Sequence, residues 1–538
     1  MSEYDAIIVG AGFAGLRALY RLRGMGKRVR VIEASSDIGG VWFHNAYPGA
    51  RCDVESYDYS YSFSTELEQE WRWSERYATQ PEILRYINHV ADRFDLRRDI
   101  DFNTRMEQAT YDEGSARWVL KTAKGEMTAQ YLVMCVGQLS TIKAPEFPGQ
   151  DDFKGEIIHS GVWPDHDVSF EGKRVGIIGT GSSGMQMTPI VAQAAKHLTV
   201  FQRTPNFSVP AANAPVSDEE DAKVKADYKA RRQQALNSPT GLGFKPNKQS
   251  ALDVDDAERT KVYEAAYNRL GFGFALAYYD ILLSKPANDT AADFLRGKIG
   301  ALIDDPELRK KLVPKDHAFA ARRPSVDSGY FQAFNRDNVA LADIRENPIT
   351  GFTPEGLQTA DKVHPLDMVI YATGFDAFTG SILKPRIIGR NGQTLSEKWA
   401  AGPITQLGLG SNGFPNLLIV VGPGSPSLLS NVMVSIEEQT DWITDMIAHA
   451  DAEGIVEIEV NADAEQAWVE HVNARARETL YMTAASYYNG AEVAGKPRVF
   501  MPYSGGIRNY RRLLDQCAKD GYSGFALREA PLAVGADA

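Results

Sequence analysis

The chain has 538 residues, 43% hydrophobic and 24% charged, a size for two or three domains with substantial cores. Its formal charge of −12 excludes a general nucleic-acid binder, which needs a basic surface to meet the phosphate backbone. Cys52, Cys135 and Cys517 lack metal-ligand spacing, the first residues lack a signal-peptide pattern, and no run of about 18 apolar residues is present to span a bilayer. The expectation is a cytoplasmic protein without metal, disulfide framework, nucleic-acid partner or membrane span.

A strand over 5–9 runs into Gly10-x-Gly12-x-x-Gly15, with a helix predicted from about Leu16. Glycines at this spacing permit a tight turn, close approach of a pyrophosphate, and a helix N-terminus aimed at its charge. Glu33 follows the strand over 28–32, where a carboxylate accepts hydrogen bonds from a ribose diol, as in FAD or NAD. Thr79-x-x-Glu82 reads as a capping box with Pro81 in the first turn, and Ile83, Leu84, Ile87, Val90, Ala91 and Phe94 recur at helical spacing behind it. A strand-like stretch over 131–137 closes this first segment.

A second unit runs from about 172 to 210. Its strand, 174–178, enters Gly179-x-Gly181-x-x-Gly184, and the strand over 198–201 ends in Gln202-Arg203-Thr204. An Arg and a hydroxyl in place of the acid suit a 2′-phosphate, so this turn is predicted to bind NADPH. A polar stretch follows, with helix starts at Ser217-x-x-Glu220 and Asp255-x-x-Glu258 and a loop-like middle over 237–246; it reads as a helical insertion over about 216–312. The buried stretch 367–374 ends in Ala-Thr-Gly, where a chain commonly passes back to an interrupted domain. A strand within 413–422 then leads to Gly422-Pro-Gly-Ser-Pro-Ser427, a carboxyl-end loop of the kind that lines a ligand crevice.

The expected fold is α/β, with two dinucleotide-binding, Rossmann-like domains. The second, 141–372 with its helical insertion, interrupts the first, 1–140 and 373–538. Two such sites also fit a disulfide reductase, but no two cysteines are near in sequence, and a pair made from Cys52 and Cys135 would depart from the spacing that redox dithiols favour.

Two further stretches narrow the chemistry: Gly39-Gly40-Val41-Trp42-x4-Tyr47-Pro48-Gly49-x3-Asp53 and Phe153-x-Gly155-x3-His159-x3-Trp163-Pro164-Asp165. At these residues the chain resembles the Baeyer–Villiger monooxygenases, flavoproteins that insert one atom of dioxygen beside a ketone carbonyl. Through Asp53–Ser60 it is most similar to their phenylacetone and steroid monooxygenase branch, and the resemblance extends to Arg508-Asn509-Tyr510. It implies FAD on the first turn, with Gly10, Gly12, Gly15, Glu33 and Trp42 around it. NADPH would lie on the second, with Gly179, Gly181, Gly184, Arg203 and Thr204. A ketone and O2 would be the substrates, an ester or lactone the product, and a peroxide at flavin C4a the oxidant.

Ala321-Arg322-Arg323-Pro324 resembles the family segment carrying Lys-Arg. By that match Arg323 is the active-site arginine, stabilising negative charge on oxygen, and Arg322 replaces the lysine that reaches the NADP phosphate. Asp53 would orient Arg323. Phe153, Gly155, His159 and Trp163 would couple domain movement to cofactor position, with His159 organising the linker rather than moving a proton, and Leu428 and Leu429 would border the ketone pocket. The chain departs from the family in a C-terminal loop that folds over NADP and substrate: Tyr487 stands where relatives have Trp, and Glu492 where they have Asn. An N- or S-oxygenating flavin monooxygenase is the alternative within the cofactor class, and a non-catalytic nucleotide sensor the alternative outside it.

Overall fold

The computed structural model describes residues 2–529 except Lys245, Pro246 and Leu270, so the end of the loop expected over 237–246 lies outside the described residues. In the first sheet, strands Ile100–Asp101, Val29–Ile32, Ser2–Val9, Gly125–Met134 and Leu417–Ile419 run parallel. Met106–Asp112 and Arg117–Thr122 add an antiparallel meander, with Arg386–Ile388 at the edge. The second sheet is wholly parallel, in the order Val339–Asp343, His197–Gln202, Arg174–Ile178, Met368–Tyr371, Glu156–His159. Its strands read as near-continuous apolar runs because both faces of a parallel sheet are covered; Val175, Ile177, Leu198, Val200 and Met368 are fully buried.

The chain thus leaves the first sheet after Met134, builds the second, and returns at Arg386. The outgoing and returning crossings pair with each other. Lys143 N donates to Gly374 O at 3.0 Å, Asp376 N to Thr141 O at 2.8 Å, and Ile142 and Phe375 form an antiparallel bridge. Backbone donors that a loop would otherwise expose are satisfied within the junction.

The stretch over 216–312 is helical, with Asp218–Ala226, Tyr228–Leu236, Asp256–Tyr267, Lys285–Gly300 and Pro306–Leu312. Its starts form as their sequences imply: the Ser217 side chain accepts from Glu220 N at 3.1 Å and that of Asp255 from Glu258 N at 2.8 Å. The insertion is pinned to the first unit through charge. Arg231 donates to Asp58 at 2.6 Å and Glu55 at 3.0 Å, Arg232 to Glu68 at 2.8 Å, and Tyr57 Oη to Asp221 at 2.8 Å. Gln202 Nε2 donates to Lys311 O at 2.9 Å, so the insertion contacts both units.

Three local expectations change. The first helix, Phe13–Gly24, begins directly after Gly12 rather than near Leu16. The helix Gln80–Arg93 forms, but Thr79 makes no side-chain cap, and the Glu82 carboxylate accepts instead from Ser74 N at 2.8 Å and Ser74 Oγ at 2.7 Å. A tertiary acceptor site outcompetes the local box. Within 413–422 only Leu417–Ile419 is strand, because Val421 takes φ +59°, with its N–H bound to Gln439 Oε1 at 2.6 Å and its carbonyl to Gln138 Nε2 at 2.6 Å. No helix among the described residues is long and apolar enough to cross a membrane.

These caps predict a contrast. Asp255→Ala is expected to cost about 1 kcal/mol, as loss of an N-cap does, whereas Thr79→Ala should cost less than half of that; thermal unfolding of the two variants beside the parent checks it.

Candidate active site

The two glycine turns share one geometry. Gly10 and Gly179 take φ +102° and +114°, and a Cβ on either would lie 2.6 Å from Cys135 O or 2.4 Å from Ala372 O. A Cβ on Gly15 would come 1.8 Å from Gly10 O, and one on Gly184 2.1 Å from Gly179 O, so the third glycine lets the helix close on the strand. The middle glycines differ: a Cβ on Gly12 meets only Gly40, at 3.6 Å, and one on Gly181 meets nothing within 4 Å. Both are N-caps of helices with no side-chain cap and no acid in the first turn. Two helix ends with unbound N–H groups and open space before them fit the pyrophosphates of two dinucleotides.

The residues expected to meet the riboses are Glu33 on the first turn and Arg203 and Thr204 on the second. Glu33 is buried, taking Ala11 N on Oε2 at 2.7 Å and Ser35 N on Oε1 at 2.7 Å, which ties it to the first turn and leaves a lone pair on each oxygen. Arg203 is exposed and lines a cavity with Thr204, Gly179 and Gly181; among the described residues no carboxylate pairs with it. Thr180 Oγ1 donates to Thr204 O at 3.0 Å, fixing the chain beside Arg203.

That cavity, about 720 Å³, is lined by residues of the first unit, the second unit and the C-terminal segment. Trp42 and Asp53 reach it from the first unit, Arg322 and Arg323 from the segment between the insertion and the strand Ser325–Asp327, and Leu428 from the carboxyl-end loop. Arg323 donates from Nε and Nη2 to the two Asp53 oxygens, each at 3.0 Å, and from Nη1 to Leu428 O at 2.7 Å. Its guanidinium carbon stands 4.3 Å from the ring centroid of Phe272. Burial opposes the charge, but the Asp53 carboxylate, with Tyr487 and Tyr488 nearby, overrides that and raises the Arg323 pKa well above its ordinary value. The Trp42 indole N–H donates to Tyr59 Oη at 3.0 Å, which sets the wall beside Asp53.

Leu429, expected at the pocket, is not among the lining residues. It packs against the apolar core of the first unit. Ser427–Leu429 is a 3₁₀ turn, whose successive side chains diverge by about 120°, so only one leucine lines the cavity. Lys143, in the lining, and Phe272, against Arg323, were not singled out from sequence. Phe272 sits in the 3₁₀ segment Gly271–Leu276 of the insertion, and nothing local marks it as facing an arginine 51 positions later.

The second fingerprint occupies the crossing. His159 Nδ1 accepts from Gly161 N at 3.0 Å, so its Nε2 carries the proton and donates to Lys143 O at 3.1 Å. Burial lowers the His159 pKa below its ordinary value. Gly155 leaves no room for a side chain, since a Cβ would lie 2.4 Å from the Phe153 ring and 2.5 Å from Asp367 O. Phe153 packs on Phe352 at 5.3 Å, and Trp163 N donates to His44 O at 3.1 Å, joining the linker to the first unit. These side chains bear on backbone position, and none of the four lines the cavity.

The C-terminal segment covers the opening, with Ser486, Tyr487 and Glu492 in the lining. The Tyr487 and Tyr488 rings stand 4.6 Å apart. Glu492 pairs with Arg322, Lys143 Nζ donates to Glu492 O at 2.8 Å, and Lys496 Nζ reaches Asp376 at 2.5 Å and Ala377 O at 2.6 Å. All three cysteines are buried free thiols; burial raises the Cys52 and Cys135 pKa values, which opposes thiolate formation.

Comparison with known proteins agrees with this arrangement. The family model described as pyridine nucleotide-disulphide oxidoreductase matches residues 7–259, a span that includes both glycine turns. A Baeyer–Villiger monooxygenase of Pseudooceanicola batsensis is 44% identical over 97% of this chain and 96% of its own length. A phenazine N-monooxygenase of Lysobacter antibioticus is 41% identical over 98% of each. Among solved structures, an oxidised steroid monooxygenase bound to NADP superposes with a TM-score of 0.95 at 50% identity, over 98% of this chain and all of its own. With two uncapped dinucleotide turns, a charged arginine between them and full-length likeness at this level, the chain belongs to the Baeyer–Villiger monooxygenase family.

Proposed function

We propose that this protein inserts one oxygen atom beside the carbonyl of a ketone, consuming NADPH and O2. Ketone, O2, NADPH and a proton become ester or lactone, NADP⁺ and water. FAD on the first turn and NADPH on the second fit the uncapped helix ends, and together they supply hydride transfer and dioxygen activation, which no side chain can provide. The chain's own part is binding, orientation and charge.

The observation that carries the reading is the bidentate hold of Asp53 on Arg323 at the cavity wall. Three of the five guanidinium N–H donors are occupied by Asp53 and Leu428 O, and two are left to act on substrate oxygen. A preorganised cation that does not give up its proton stabilises negative charge as it develops on a carbonyl oxygen. Asp53 acts through Arg323 as a positioning residue. Arg203 and Thr204 read the 2′-phosphate, and Leu428 bounds the apolar part of the ketone site. Phe153, Gly155, His159 and Trp163 hold the linker between the domains, so their effect on chemistry comes through cofactor placement.

A second reading follows from the relative named as a phenazine N-monooxygenase: oxygen transfer to a ring nitrogen in the same cavity. Aerobic NADPH oxidation with cyclohexanone, phenylacetone and phenazine separates the two. Ester or lactone formed one to one with NADPH supports the ketone reading, and N-oxide alone overturns it.

Two further outcomes are expected. Arg323→Ala retains flavin reduction by NADPH but lowers ester formation by about 10²–10³-fold, the usual cost of losing one group that stabilises developing oxyanion charge; stopped-flow reduction beside product analysis checks it. Gly181→Ala folds normally, because its Cβ meets nothing within 4 Å, but it fills the space at the helix end and weakens NADP⁺ binding by roughly tenfold or more, as equilibrium titration would show.

A further inference from the structure

Two of the departures noted in the sequence, Arg322 for Lys and Glu492 for Asn, meet in space. The Glu492 carboxylate takes Arg322 Nη2, and its carbonyl takes Lys143 Nζ at 2.8 Å. One residue of this segment is thereby held by two cations of the cavity wall, one on its side chain and one on its backbone. Lys143 is itself fixed at the crossing: its N–H bonds to Gly374 O at 3.0 Å, and its carbonyl accepts from His159 Nε2 at 3.1 Å and Thr373 Oγ1 at 2.5 Å. The far end of the same segment is held by Lys496 on Asp376. Arg322 and Glu492 are both largely buried, with side chains 18% and 21% exposed, so solvent screens their attraction incompletely. Arg203, by contrast, is exposed and has no carboxylate partner among the described residues.

We propose that Glu492, Arg322 and Lys143 form a latch that closes the segment 486–496 over the cavity, and that Arg322 serves this closure while Arg203 discriminates the 2′-phosphate. The proposal rests on the dinucleotide reading of the second turn but not on the ketone as substrate. Arg322 and Glu492 are positioning residues in this scheme. An arginine suits the task because its planar fork matches a carboxylate, where a lysine would offer a point charge.

The test uses the full-length, flavin-loaded protein and two readouts that do not depend on turnover. One is chymotryptic cleavage after Tyr487 or Tyr488. The other is the ratio of NADP⁺ to NAD⁺ dissociation constants, by equilibrium titration. Arg322→Gln, Glu492→Gln and Lys143→Met are each expected to speed cleavage by roughly tenfold, the scale of one charge-assisted hydrogen bond. The Arg322→Gln, Glu492→Gln double variant should be no faster than either single change, and Arg322→Glu with Glu492→Arg should recover protection. The NADP⁺ to NAD⁺ ratio should stay within about twofold in the Arg322→Gln, Glu492→Gln double variant, which leaves no isolated acid, and collapse in Arg203→Ala. A large selective loss of NADP⁺ affinity in the double variant, with cleavage unchanged in Glu492→Gln, would overturn the latch and return Arg322 to the phosphate. Absence of ester with every ketone would sink the ketone reading and leave both of these readouts intact.

Discussion

A guanidinium taken out of water and held at the wall of a cleft is the constraint on which the site depends. Desolvating such a charge costs several kcal/mol unless its donors are satisfied and an opposite charge is close. Arg323 meets the condition with both Asp53 oxygens, the Leu428 carbonyl and the face of Phe272. Those partners come from the first unit's early segment, its carboxyl-end loop and the insertion. The cation is stable only when all of them are assembled, so the local requirement of one arginine dictates the relative placement of parts distant in sequence.

The insertion topology makes that assembly possible. A chain that leaves one parallel sheet, builds another and returns must pass the boundary twice, and here the two passages hydrogen-bond to each other through Lys143, Gly374, Thr141 and Asp376. His159 sits on this ribbon and donates to the Lys143 carbonyl while accepting from Gly161 N. A neutral imidazole with one donor and one acceptor bond is a spacer of defined length. Its two bonds fit a structural role, and they tie a cation of the cavity wall to the second sheet.

Much of this was legible in the sequence because it is local. Strand, glycine turn and helix N-terminus are encoded within about 30 residues, and the sign of the group after the next strand, Glu33 against Arg203, is one position wide. The caps at Ser217 and Asp255 formed for the same reason. What failed was the local reading of groups that found a better distant partner: Glu82 left its capping role for Ser74, and Leu429 turned away from the cavity its neighbour lines. Phe272 and Lys143 carried no motif. Each matters through a contact formed across more than 50 positions, with Arg323 and with Glu492, and no periodicity or spacing signals such a contact.

The pairing of Arg322 with Glu492 shows the limit of reading departures one at a time. Arg322 alone reads as a charge-conserving swap at a phosphate site, and Glu492 alone as an unwelcome anion beside a dinucleotide. Together they neutralise each other, so the phosphate side of the cavity keeps the unpaired charge of Arg203, and the lid gains an attachment. An isolated acid there would repel a 2′-phosphate within a Debye length of about 8 Å, but one already bound to a guanidinium presents a dipole whose field falls off faster. On the proposed latch the dependence runs one way: Glu492 is tolerated beside NADPH because Arg322 neutralises it, whereas Arg322 has no such need of Glu492.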